Sequence, residues 1–236
     1  MAEENVFLVR RQFRSPPAAA VAGIIYAVLM TTGMLLTASI VATSPADIEE
    51  EALEVWSAST SIVVVIVPFA GLAFLWFTGV IRDNLGNLED RFFSTVFFGS
   101  GIISVVTLFI WGATAGAIFS IHTQTVGQVI DNDIYIFGFA FMNQIIGNYG
   151  LRMAGVYMLS IGTIWTRSGV MPRWMSIITF IIALSFLTIA SRVRVARFMF
   201  PAWVFVVSVY TLIRNYLNLH GKKRGKTADK TRNSTV

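Results

Sequence analysis

The chain has 236 residues, of which 55% are apolar and 13% charged, with a net charge of +5 and no cysteine. A soluble domain carries about a quarter charged residues, so half that share points to a lipid solvent. Disulfides, thiolate metal sites and cysteine nucleophiles are excluded outright. The positive excess sits at the two ends of the chain rather than along one stripe, which argues against a nucleic-acid partner.

No charged residue falls between Pro17 and Ala46, between Val55 and Ile81, or between Phe92 and Ile121. Apolar runs of about 20 residues cross a hydrocarbon core, and these lack the polar face that a helix on a soluble core keeps. Ahead of the first run, Arg10, Arg11, Gln12 and Phe13 look like a twin-arginine export motif. The run is too long for a signal segment and no small-residue cleavage site ends it, so it reads as an uncleaved first span, Ala18 to Ala42, with a basic anchor.

Ser44, Pro45 and Asp47 read as an N-cap, a first-turn proline and an acidic third position. They open a short acidic helix, Asp47 to Glu54, with five carboxylates and no base. The second span is Ala58 to Ile81, with a kink expected at Pro68. The loop from Arg82 to Arg91 mixes charges of both signs, and Asp90 is placed to cap the third span, Phe92 to Ile121. Within that span Gly112 and Gly116 make a GxxxG pair, a signature of close helix packing. The connection His122 to Asp133 has two acids, Asp131 and Asp133, and no Lys or Arg.

The fourth span lies within Ile134 to Thr166, longer than a bilayer requires. The fifth is Trp174 to Ser191, where Ser176, Thr179, Ser185 and Thr188 read as helix–helix glue, and the sixth is Phe198 to Leu217. The expected architecture is therefore an all-α, polytopic bundle of six transmembrane helices, with residues 1–220 as one domain. Residues 221–236 form a basic, polar tail whose composition predicts disorder. No repeat is visible, and an inverted pairing of spans 1–3 with 4–6 rests on their number alone.

Orientation follows from Lys and Arg. With the amino terminus inside, the cytoplasmic side takes Arg10, Arg11, Arg14, Arg82, Arg91, Arg167, Arg173 and the bases from Arg214 onward. The outer side takes Arg192, Arg194 and Arg197. Both termini are then cytoplasmic, and dropping either of the last two spans would strand the basic tail outside. Trp76, Trp165 and Trp174 fall at the inner boundary on this map, Trp56 and Trp203 at the outer one, and Trp111 deeper.

Arg152 is the one charge placed well inside a span. Gln144, Asn148 and Arg152 are four apart and share a helical face, which Gly155 and Leu159 continue. One reading makes the three a binding site at the floor of an outward-facing vestibule, with Arg152 coordinating an anion or acting as a gate. The other has Arg152 snorkel to the outer headgroups. A second expectation concerns an outer belt of Glu49, Glu50 and Glu54 with Arg192, Arg194 and Arg197. The belt is read as ion pairs closing the outer face, as a funnel toward Arg152, or as contacts to lipid phosphate.

Other chemistry is sparse. His122 and His220 are the only histidines, and no Lys lies in a span, so neither a bis-histidine haem, a His-rich metal site nor a Schiff base is expected. No cofactor is expected. An enzyme has least support, since no nucleophile–base pair or metal cluster comes within reach of the membrane. The expected partners are the lipid bilayer and either further copies of the chain or another membrane subunit.

The stretches Gly79-Val80-Ile81-Arg82-Asp83-Asn84-Leu85-Gly86, Glu89-Asp90-Arg91-Phe92-Phe93, Leu151-Arg152-Met153-Ala154 and Gly169-Val170-Met171-Pro172-Arg173-Trp174 resemble a group of bacterial multi-pass membrane proteins without assigned activity. The resemblance covers most of the membrane part. It implies a bacterial plasma membrane and supplies no activity. Two functions are carried forward: a small channel or transporter-like protein with a polar cavity near Arg152, and an accessory or structural subunit.

Overall fold

The computed structural model describes residues 16–41, 50–85, 91–124, 132–188 and 195–233, and these are helical apart from the short links at 169–172 and at 195. The helices are α1 (Pro16–Val41), α2 (Glu50–Leu85), α3 (Arg91–Gln124), α4 (Asn132–Gln144), α5 (Leu151–Ser168), α6 (Arg173–Thr188) and α7 (Ala196–Asn233). A π-helical turn, Ile145–Gly150, joins α4 to α5 without a break. Four segments are long and apolar enough to cross a membrane: Pro17–Thr37, Ala58–Asp83, Phe92–Ile121 and Ala196–Leu217.

The fourth and fifth expected spans differ from these. The fourth is divided by the π turn, and α6 is described from Arg173 to Thr188, so the expected end of the fifth span at Ser191 lies outside the described residues. The separate acidic helix is also absent from residue 50 onward, because α2 runs unbroken from Glu50 through Pro68 to Leu85. Val55, Trp56 and Ser57 include no glycine or proline to end a helix there. The backbone of residues 221–233, expected to be disordered, continues α7 instead. That stretch is rich in Lys and has no proline, so helical propensity opposes the compositional signal.

Each apolar helix is apolar on two faces for two different reasons. On α1, Ala19, Ala22, Tyr26, Met30 and Met34 are buried, while Val21, Ile25, Val28 and Leu35 point outward. A hydrophobic outer stripe on every long helix suits hydrocarbon, and it explains why no amphipathic period is visible in the sequence. Helix α1 packs on α2 and α7, α2 on α3, α3 on α5, and α5 on α6. The α2–α3 contact is close because Gly112 and Gly116 face Val67 and Val64. A Cβ added at Gly112 would lie 2.7 Å from a Val67 methyl, and one at Gly116 3.2 Å from a Val64 methyl.

An aromatic cluster fills the centre. Tyr157 has no exposed surface, and its ring centroid lies 4.5 Å from Phe97 and 5.3 Å from Phe74. Phe200 and Trp203 meet it edge-on, and its hydroxyl shares a 3.2 Å hydrogen bond with Thr78. Trp203 stacks on Trp165 at 5.9 Å, and both are buried. This corrects the sequence map, which put these two tryptophans at opposite boundaries. Helix α7 starts level with the π turn, so Trp203 has already descended two turns into the bundle. The Trp203 indole N–H donates to Thr179 at 2.9 Å.

At one end, Arg82 lies over Phe98 at 4.5 Å and Arg167 over Phe93 at 4.9 Å. Arg214 donates to the Val170 carbonyl in the link between α5 and α6. That link turns at Gly169, whose φ of 64° is left-handed, closing α5 with a bond to the Trp165 carbonyl in the usual glycine C-cap manner. Three cations assigned by sequence to the inner side thus gather at one end of the bundle.

Candidate functional site

Residues 145–150 include two glycines and an asparagine, weak helix formers that let the backbone open into a wider turn. The Leu151 N–H bonds to the Ile146 carbonyl, five residues back. A straight α-helix turns residues four apart about 40° away from one another. The wider turn offsets that drift, and Gln144, Asn148 and Arg152 stay in line.

The structure brings these three together as a hydrogen-bonded ladder. Arg152 Nη1 donates to both the carbonyl oxygen and the Oδ1 of Asn148, each at 3.1 Å. The Asn148 amide nitrogen donates in turn to Gln144 Oε1. The ladder lies on the outside of the bundle, where Gln144 and Arg152 are exposed and Asn148 is half-buried. Gly155, expected to continue this face, is buried against α6 instead, with its Cβ position 3.0 Å from the Ala183 carbonyl. Arg152 is not among the lining residues of either void described below, and the inner side of the turn carries other residues.

On the inner side of the same turn is a different arginine. A cavity of about 30 Å³ is lined by Tyr26, Ser104, Thr107, Ile146, Phe200 and Arg197, among others. That is room for roughly two water molecules. The Arg197 guanidinium lies beside the π turn, 3.8 Å from the Cβ position of Gly147. Ser104 and Thr107 spend their protons on carbonyls of their own helix, at 2.9 and 2.8 Å, and keep lone pairs to offer. Tyr26 is buried, yet among the described residues its hydroxyl has no hydrogen-bond partner. Buried tyrosine hydroxyls usually find one.

A smaller void of about 10 Å³, between Thr37, Thr60, Ala115 and Phe139, shares no lining residue with the first.

Of the expected outer belt, only Arg197 has a described side chain, and it points into this cavity. Glu49, Arg192 and Arg194 lie outside the described residues, as do the side chains of Glu50 and Glu54. Sequence reading missed the role of Arg197 because it was counted with a loop cluster. The spacing of Gly147 and Gly150 was the available signal for the unusual turn. Among the described residues no group of three His, Asp or Glu is placed to hold a metal ion.

Gly150 packs near Thr107, midway along the Phe92–Ile121 segment, and Gly138 near Ile118, close to its end. Gly155 meets Phe186 and Leu187 on α6, and α7 begins beside the π turn. No protein-family model, curated protein or solved structure matches this chain.

Proposed function

We propose that the chain is a plasma-membrane protein that crosses the bilayer six times, with both termini cytoplasmic, and acts as a small channel or transporter-like protein for polar solutes. The observation that carries this reading is the inner cavity. It combines one cation, Arg197, with the buried Tyr26 and the hydroxyl lone pairs of Ser104 and Thr107, in an otherwise apolar wall. The half-buried Arg197 guanidinium gives this cavity a charged, donor-bearing wall suited to a small anion or a strongly dipolar solute. The two voids share no lining residue, so passage requires a movement, and the π turn that lines the first of them is the natural place for it. Arg152, on the opposite face of that turn, is not part of the route.

The test is flux in proteoliposomes. Small-anion flux in the native protein should fall at least about tenfold in Arg197→Ala and be partly retained in Arg197→Lys, which keeps the charge. Native protein that carries neither anions nor neutral polar solutes would overturn the reading. The rival, an accessory subunit, would draw on the exposed ladder at Gln144, Asn148 and Arg152 as a contact surface. Stoichiometric co-purification of a second membrane protein under mild detergent would favour it.

A further inference from the structure

The inner cavity offers acceptors as well as a cation. Ser104 donates its hydroxyl proton to the Ser100 carbonyl, and Thr107 donates to the Ser104 carbonyl. Each oxygen then has only lone pairs for the void that both residues line. Arg197, on the wall of the same void, is the opposite: five N–H donors in a planar fork and no acceptor. A contact along one edge of that fork leaves further donors to present. The two kinds of group lie close together. The guanidinium is 3.8 Å from the Cβ position of Gly147, and Thr107 Oγ1 is 3.4 Å from that of Gly150. Those glycines are three residues apart, less than one turn.

This pattern sorts small solutes. A halide, nitrate or acetate brings acceptors only, so it suits Arg197 but sets its lone pairs against those of Ser104 and Thr107. A neutral amide brings donor and acceptor but no charge for the guanidinium to draw on. An oxyanion that keeps an O–H of its own has all three. Two of its oxygens can meet the guanidinium side by side, while the O–H donates to a hydroxyl oxygen. Volume keeps it small. The void is about 30 Å³, room for roughly two waters, and Met30, Phe74, Leu108 and Phe200 bound it. That leaves no place for a phosphate ester or a sugar acid. Bicarbonate, a planar ion with three oxygens and one proton, meets every condition.

We propose that this cavity binds bicarbonate, with two oxygens on the Arg197 guanidinium and the O–H donated to Thr107 or Ser104. The proposal rests on the cavity being a solute site, and equilibrium binding tests it rather than flux, so the two can fail separately. Selective binding in a chain that carries no flux would sink transport alone. Flux of small anions without that selectivity would sink the bicarbonate assignment alone.

The experiment is equilibrium dialysis of the intact, purified chain in mild detergent against radiolabelled bicarbonate, in sealed cells at mildly alkaline pH. Native protein should hold one bicarbonate per chain, and acetate should compete at least about tenfold more weakly. Acetate is the sharpest comparison, because it has the same charge and plane with a methyl group in place of the O–H. Arg197→Gln should weaken retention about tenfold or more, as loss of charge-assisted bonds does. The double variant Ser104→Ala/Thr107→Val removes both acceptors and should narrow the bicarbonate-to-acetate preference at least about fivefold. Thr114→Val, on the same helix and lining neither void, should leave the preference unchanged. Should Arg197→Gln fail to fold, Arg197→Lys carries the test, with intermediate affinity from a charge that lacks the fork. Three results would overturn the proposal: acetate competing as well as bicarbonate, a preference that survives in the double variant, or no retained bicarbonate, which would leave the void to two waters.

Discussion

Tyr157 and Trp203 illustrate how single polar atoms are handled inside an apolar bundle. Each ring fills central volume, and each polar atom is matched once, the tyrosine hydroxyl with Thr78 and the indole N–H with Thr179. Volume and polarity then carry separable energies. Truncating Tyr157 to alanine should cost about 3–5 kcal/mol through the cavity it leaves, while Tyr157→Phe should cost about 1 kcal/mol. SDS or thermal unfolding of the two variants in the same detergent checks this. Equal losses would mean that the hydroxyl, rather than the ring, is the structural element. Thr179→Val strands a buried indole donor and should cost about 1–3 kcal/mol, with a change in Trp203 fluorescence.

Among the helices, packing distance is set by glycine, and the contrast between two of them is a direct check. A side chain at Gly112 meets Val67, whereas Gly99 has open space around its Cβ position. Gly112→Leu should lower the unfolding midpoint sharply. Gly99→Leu should leave it unchanged or raise it slightly, since glycine is a poor helix former. If the two substitutions behave alike, the α2–α3 contact is not as described. Much at this scale was legible in advance: the GxxxG pair, the start of α1 and the extent of α3 follow from residue type alone. The π turn was not, because three consecutive backbone shifts leave no mark on an apolar period, and Gly147 and Gly150 read equally well as packing glycines. The placement of Trp203 failed for a related reason. Boundary assignments presume that each span begins at an interface, whereas Trp203 lies two turns inside α7.

For the whole molecule, long neutral segments in the sequence identified the helices, and cationic clusters suggested how the ends are arranged. Arg82, Arg167 and Arg214 gather at one end, and Arg152 and Arg197 sit on opposite faces of one turn in the other half. A sequence records that these last two are arginines in apolar company. It does not record which is on the exterior and which faces the cavity, because that depends on how α5 and α7 pack at the π turn. The proposed arrangement sets an interior cation, Arg197, at the solute cavity and Arg152 on the exterior, in a chain whose two termini are proposed to be cytoplasmic.

The most direct test of that six-crossing arrangement exploits the absence of cysteine, which gives single introduced thiols a clean background. Ser191→Cys, between α6 and α7, and Gln128→Cys, between α3 and α4, should react with a membrane-impermeant maleimide on intact cells. Asn87→Cys and Ser234→Cys should react only after permeabilisation. Labelling of Ser234→Cys from outside, or of Ser191→Cys only from within, would contradict the account.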